Sequence, residues 1–70
     1  HDCVVGAFAH VSPNAALGGG CTLHERAQLG IAASMLPGTT VGADTIVGGG
    51  AVVVRDVPPA VRAKGVPATW

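Results

Sequence analysis

Few residues in this chain of 70 can move a proton near neutral pH: His1, His10 and His24. An imidazole with an unperturbed pKa near 6.5 can accept or donate a proton under those conditions. Asp2 follows His1 directly, in the opening stretch HDCVVGAFAH. A carboxylate beside an imidazole orients the ring and favours the imidazolium, which suits a general base. His10 closes the same stretch and could donate a hydrogen bond where negative charge develops. Adjacent residues on a strand point to opposite sides, so contact between His1 and Asp2 requires a turn or a neighbouring chain. Cys3 lies beside the pair.

The elements that position these residues follow from an internal repeat. Counting every sixth residue from Val5 gives Val5, Val11, Leu17, Leu23, Leu29, Met35, Val41, Val47 and Val53, all aliphatic. Val, Leu, Ile and Met fill only 18 of the 70 positions. Nine consecutive matches have a chance probability on the order of 10⁻⁵ to 10⁻⁴, so the period decides the assignment. Four residues further on stands a small residue in most hexads: Ala9, Ala15, Cys21, Ala27, Ala33, Thr39, Thr45, Ala51, then Val57. Gly often follows the aliphatic residue, at Gly6, Gly18, Gly30, Gly42 and Gly48.

Each hexad predicts one short strand and a turn, forming one face of a triangular prism. Three hexads close a coil of 18 residues. The aliphatic residue points inward, the small residue lets the corner close, and the glycines are expected to supply unusual backbone angles. Coils stack about 4.8 Å apart through parallel pairing. Residues 18 apart then form columns: Val5, Leu23 and Val41; Ala15, Ala33 and Ala51; Cys3 and Cys21. The cysteines are expected inside and reduced. The repeat covers residues 3–57, about three coils. Pro58-Pro59 breaks it, and residues 58–70 form a C-terminal tail or cap. No matching cap precedes His1, which predicts that further sequence does.

This hexapeptide repeat resembles the left-handed parallel β-helix of the hexapeptide acyltransferases, and the resemblance supplies the hand. Within that superfamily HDCVVGAFAHVSP resembles the sialic-acid and amino-sugar acetyltransferases of the NeuD and PglD type. The closing GVPA is also similar, although Thr69 stands where those proteins commonly have Lys or Arg. The resemblance implies an acetyl-CoA-dependent acetyltransferase acting on an amino or hydroxyl group of a sugar, often nucleotide-linked. It implies His1 as catalytic base and Asp2 as its acidic partner. It also implies His10, Ile31 and Gly49 as cofactor contacts. The family's N-terminal sugar-nucleotide-binding domain is absent from this chain. A homotrimer with active sites between subunits is expected, and a short prism buries little alone.

The column rule agrees with part of this. Pro13, Ile31 and Gly49 share one column with His10 beside it, and a long thin ligand could lie along it. Gly48-Gly49-Gly50 would admit it close to the backbone. Lys64, with Arg62, is the available cation for the cofactor's phosphates. His24 takes a slot where Gly is usual and reads as an outward surface or interface residue. Phe8 reads as an interface residue, and Trp70 as a packing cap.

Other functions fit less well. Gamma-class carbonic anhydrases share the helix and bind zinc through three histidines. The spacings of 9 and 14 here differ from that family's pattern, so no metal site is predicted. An inactive structural or trimerising module is the non-enzyme alternative. The net charge is zero, with no basic stripe for nucleic acid. No apolar run reaches the length of a membrane span. Two cysteines without a CxxC pair make a reduced, cytoplasmic setting the expectation.

Overall fold

The computed structural model describes residues 2–70. His1, the expected base, lies outside the described residues. The described chain forms ten strands of two residues each. They are β1 (Val4–Val5), β2 (His10–Val11), β3 (Ala16–Leu17), β4 (Thr22–Leu23), β5 (Gln28–Leu29), β6 (Ser34–Met35), β7 (Thr40–Val41), β8 (Ile46–Val47), β9 (Val52–Val53) and β10 (Arg62–Ala63). They stack as three parallel sheets: β1-β4-β7, β2-β5-β8-β10 and β3-β6-β9. Val5 pairs with Leu23 and Leu23 with Val41, so the predicted columns are present. The architecture is a parallel β-solenoid of three faces, as the period of six requires.

The inward position of each strand fills the core. Leu23, Leu29, Met35, Val41, Val47 and Val53 are buried. Cys21, Ala27, Ala33, Thr45 and Ala51 close the corners behind them and are buried too. Burying one such Val or Leu contributes about 1.5–3 kcal/mol, and only small corner residues let the backbone wrap so tightly. Both cysteines are free thiols. Cys21 Sγ donates to Leu36 O at 3.2 Å, and Cys3 Sγ donates to Gly18 O at 3.3 Å.

The glycines serve a different purpose from the one expected. Gly6, Gly18, Gly30 and Gly42 have no positive φ. They pack instead against the backbone of the next coil, where a Cβ would meet Glu25 N at 2.7 Å, Pro37 N at 2.6 Å, Gly49 N at 2.7 Å and Pro59 N respectively. The left-handed conformation falls two residues later, once per hexad. It occurs at Asp2, Phe8, Asn14, Gly20, Arg26, Ala32, Gly38, Asp44 and Gly50. Only three of those nine are Gly, so most corners carry a side chain in a region that disfavours one.

The two ends of the prism differ. The spacing drops from 18 to 16 ahead of Pro58-Pro59, where Val57 bridges Val41, and Arg62 then pairs with Ile46 and Ala63 with Val47. Stacking therefore continues past the prolines, with β10 as a fourth rung on one face. Thr45 ties down the corner that follows Val57, its hydroxyl donating to Pro58 O at 2.7 Å and accepting from Val61 N at 3.3 Å. Lys64 and Thr69 then exchange two backbone bonds of 2.9 Å. This hairpin caps the last coil, and Ala63 and Ala68 are buried within it. In the first described coil, Val5 remains 48% exposed and Val11 38%, although their column partners Leu23 and Leu29 are fully buried.

Candidate active site

β2, β5, β8 and β10 build the face on which the candidate site lies. Their outward residues form the column His10, Gln28, Ile46 and Arg62. Three rung steps of about 4.8 Å make the track about 14 Å long. His10, Gln28 and Arg62 are exposed.

The corner that follows this face carries the predicted cofactor ridge. Ala32 N donates to Pro13 O at 3.1 Å, and Gly50 N donates to Ile31 O at 2.8 Å. Pro13, Ile31 and Gly49 are thus stacked rung upon rung, as the 18-residue interval predicts. Ile31 is 62% exposed, an apolar side chain turned outward on the ridge. Gly30 lets the coils approach here, and Gly49 presents bare backbone. Lys64 lies beneath Gly48, since a Cβ there would meet Lys64 Cβ at 3.4 Å. Gly48 N also donates to Ala63 O at 2.8 Å. The structure therefore gathers Ile31, Gly49 and Lys64 on one corner. His10 stands on the adjoining face, at the end of the track opposite Arg62.

Asp2 lies apart from this corner. Its φ of 55° puts it at a turn, in the column of Gly20 and Gly38. A turn is what a contact between His1 and Asp2 needs, because neighbours on an extended strand diverge. His24 and Phe8 are on the corner between the β1 and β2 faces, and both are exposed; Phe8 is 87% exposed. Trp70 is partly exposed, with the Arg55 guanidinium 4.6 Å from its ring centroid.

One charged feature was not predicted. Arg26 donates through Nε and Nη2 to the two carboxylate oxygens of Asp44, at 2.6 and 3.1 Å, and through Nη1 to Glu25 at 2.9 Å. The guanidinium hydrogen bonds hold the Asp44 carboxyl below the usual aspartate range, although partial desolvation opposes them. Arg26 is correspondingly raised, chiefly by its bonds to Asp44. The signal was available, since residues 26 and 44 are one coil apart. Among the described residues no three His, Cys, Asp or Glu side chains converge as a metal site would need. Nor, among the described residues, is any helix long and apolar enough to cross a membrane.

These features define a β-solenoid of the hexapeptide-repeat class with an axial ridge beside a histidine. No protein-family model matches the chain. The perosamine acetyltransferase PerB of Caulobacter crescentus, solved with CoA and GDP-perosamine, is 58% identical, with a TM-score of 0.97. That match covers 99% of this chain and 33% of PerB. The acetyltransferase domain of PglB from Neisseria gonorrhoeae, solved with acetyl coenzyme A, is 40% identical over 99% of this chain and 34% of that one. Its TM-score is also 0.97. An acyl-carrier-protein–UDP-N-acetylglucosamine O-acyltransferase of Aliivibrio salmonicida is 42% identical over 93% of this chain and 25% of its own length. The chain thus spans a quarter to a third of the proteins it matches. By repeat and fold the chain is similar to hexapeptide-repeat acyltransferases, and the structures it resembles include sugar N-acetyltransferases.

Proposed function

We propose that the protein transfers an acetyl group from acetyl-CoA to an amino or hydroxyl group of a sugar, in most cases a nucleotide-linked one. The observation that carries this reading is the ridge of Pro13, Ile31 and Gly49, with Lys64 below and His10 beside it. An extended thioester fits such a track. The Ile31 and Gly49 backbone would hold the pantetheine arm, and Lys64 would meet the phosphates. The likeness to PerB, solved with CoA and GDP-perosamine, supports both donor and acceptor class.

Attack on the thioester requires that the acceptor lose a proton. His1 is the base in this reading, and Asp2 orients it from its corner. His10 donates a hydrogen bond to the acetyl carbonyl as charge develops there. Transfer is direct, without an acyl-enzyme, so Cys3 plays no covalent part. The working form is a cytoplasmic homotrimer, with each site completed by a neighbouring subunit. A sugar-binding domain lies elsewhere in the full-length protein.

The test is acetyl transfer from acetyl-CoA to amino-sugar nucleotides by the full-length protein and its His1→Ala variant. General-base removal typically costs about 10²–10⁴ in rate. Equal rates would end the assignment of His1, and a stable monomer by light scattering would end that of the trimer. The Aliivibrio relative favours a second reading, O-acylation from an acyl carrier protein. Turnover with acyl carrier protein and none with acetyl-CoA would establish it.

A further inference from the structure

His10 is the Cα partner of Gln28 across the parallel pair β2–β5. The two side chains leave the same face one rung apart, about 4.8 Å between backbones. Both are exposed, and among the described residues neither side chain has a hydrogen-bond partner. Water serves both while the face is open. A ligand lying along the ridge beside them would exclude that water, and a polar group left unpaired by such burial is costly. The charged groups of the adjoining corner do not compete, because Arg26, Glu25 and Asp44 are bound to one another. His24 is on that same corner, outside the track. Below Gln28 the column continues with Ile46, which offers no polar side-chain atom, and ends at Arg62.

We infer that Gln28 is a positioning residue for His10: once the acetyl donor is bound, its carboxamide N–H donates to one ring nitrogen of His10. The inference rests on the proposed role of His10. An imidazole that must donate toward the acetyl carbonyl needs its proton on the nitrogen facing the substrate. A donor on the other nitrogen selects that tautomer, because only an unprotonated nitrogen can accept. A glutamine does this while leaving the ring neutral. A carboxylate at the same place would accept a proton instead, selecting the opposite tautomer and favouring the imidazolium. Hydrogen bonds of this kind often form only in the substrate complex, which fits the two unpartnered side chains.

The test uses the full-length protein and four variants: Gln28→Ala, Gln28→Glu, His10→Ala and the double variant His10→Ala/Gln28→Ala. Gln28→Ala should lower kcat about three- to tenfold, the range one neutral hydrogen bond accounts for, with the acetyl-CoA KM within about twofold. In the His10→Ala background the same change should have no further effect. Gln28→Glu should raise the His10 pKa in an NMR titration of the CoA complex, with Asp44→Asn as a control that leaves it in place. Additive losses in the double variant would overturn the inference, as would an unchanged kcat in Gln28→Ala. If His10→Ala itself keeps full kcat and KM, the role of His10 fails and this inference falls with it. A loss in His10→Ala without one in Gln28→Ala overturns the inference alone.

Discussion

Gly30→Ala should cost about 2–6 kcal/mol and loosen the cofactor ridge. A Cβ at residue 30 would lie 2.7 Å from both Gly49 N and Val47 O, and 2.9 Å from Gly48 C. These are backbone atoms, so no side chain can rotate away. Reaching an ordinary contact of 3.4 Å requires the rungs to part by about 0.7 Å. The bonds from Gly30 N to Val47 O and from Gly50 N to Ile31 O, both 2.8 Å, would then stretch to about 3.5 Å. Each is worth about 0.5–1.5 kcal/mol, and strain from overpacking adds about 1–3 kcal/mol where the backbone does not yield. Gly48→Ala is the control. Its Cβ would meet Lys64 Cβ at 3.4 Å and Ala63 O at 3.6 Å, which are ordinary contacts. It should cost less than about 1 kcal/mol by the scale of ordinary surface changes. Urea unfolding at one fixed protein concentration reads the stability, since association shifts apparent stability. The acetyl-CoA KM reads the ridge, and it should rise several-fold in Gly30→Ala. Gly30→Ala within about 0.5 kcal/mol of Gly48→Ala would refute close approach as the reason for glycine in this column.

Asp44→Asn removes the charge while keeping a residue that tolerates the left-handed corner. The Asp44 carboxyl is held below its ordinary value by Arg26, so its contribution is complete at neutral pH. It is lost as pH falls below about 3.9 through the depressed folded value, because the unfolded chain binds the proton first. The stability gap between wild type and Asp44→Asn should therefore be present at pH 7, shrink in high salt and vanish in strong acid. A gap independent of pH would mean that the side chain acts through packing. Trp70→Ala should free the C-terminal hairpin, losing the Arg55–ring contact at 4.6 Å, worth about 0.5–1 kcal/mol at an exposed site. Limited proteolysis should then clip the tail faster, and unchanged clipping would show that the hairpin's backbone bonds suffice.

The inward half of the fold is legible in the sequence because burial imposes a strict period. A polar residue at Leu23, Leu29 or Val47 would face a closely packed, largely apolar interior. The columns follow by arithmetic, and so does the ridge of Pro13, Ile31 and Gly49. The corners are less legible. Phe8, Arg26 and Ala32 adopt a positive φ without being turn-forming residues; at Arg26 and Ala32 the amide bonds the preceding coil, at Ala7 O and Pro13 O. Asn14, Gly20, Gly38 and Gly50, at the same place in other hexads, were the available signal. The glycines after each aliphatic residue suggest angles and are in fact about distance. Pro58-Pro59 reads as an end, yet the coil is already shortened at Val57, which bridges Val41, and stacking continues past the prolines.

That shortening decides which cation serves which column. Had the interval stayed at 18, Lys64 would stand beneath Ile46, on the track headed by His10. Val66, an apolar residue, would stand beneath Gly48, beside the ridge. At an interval of 16, Arg62 takes the track and Lys64 the ridge. Both the length of the last coil and the buried hydroxyl of Thr45 that bonds Pro58 and Val61 therefore act on the candidate site from outside it. Thr45 occupies a corner slot that is Ala at residues 9 and 27, its column partners. Its hydroxyl gives the Pro58 carbonyl and the Val61 amide of the next rung a partner. The inward columns supply the burial that holds the fold together. The chemistry depends on the outward columns, whose pairing at the C-terminal end is set by two missing residues.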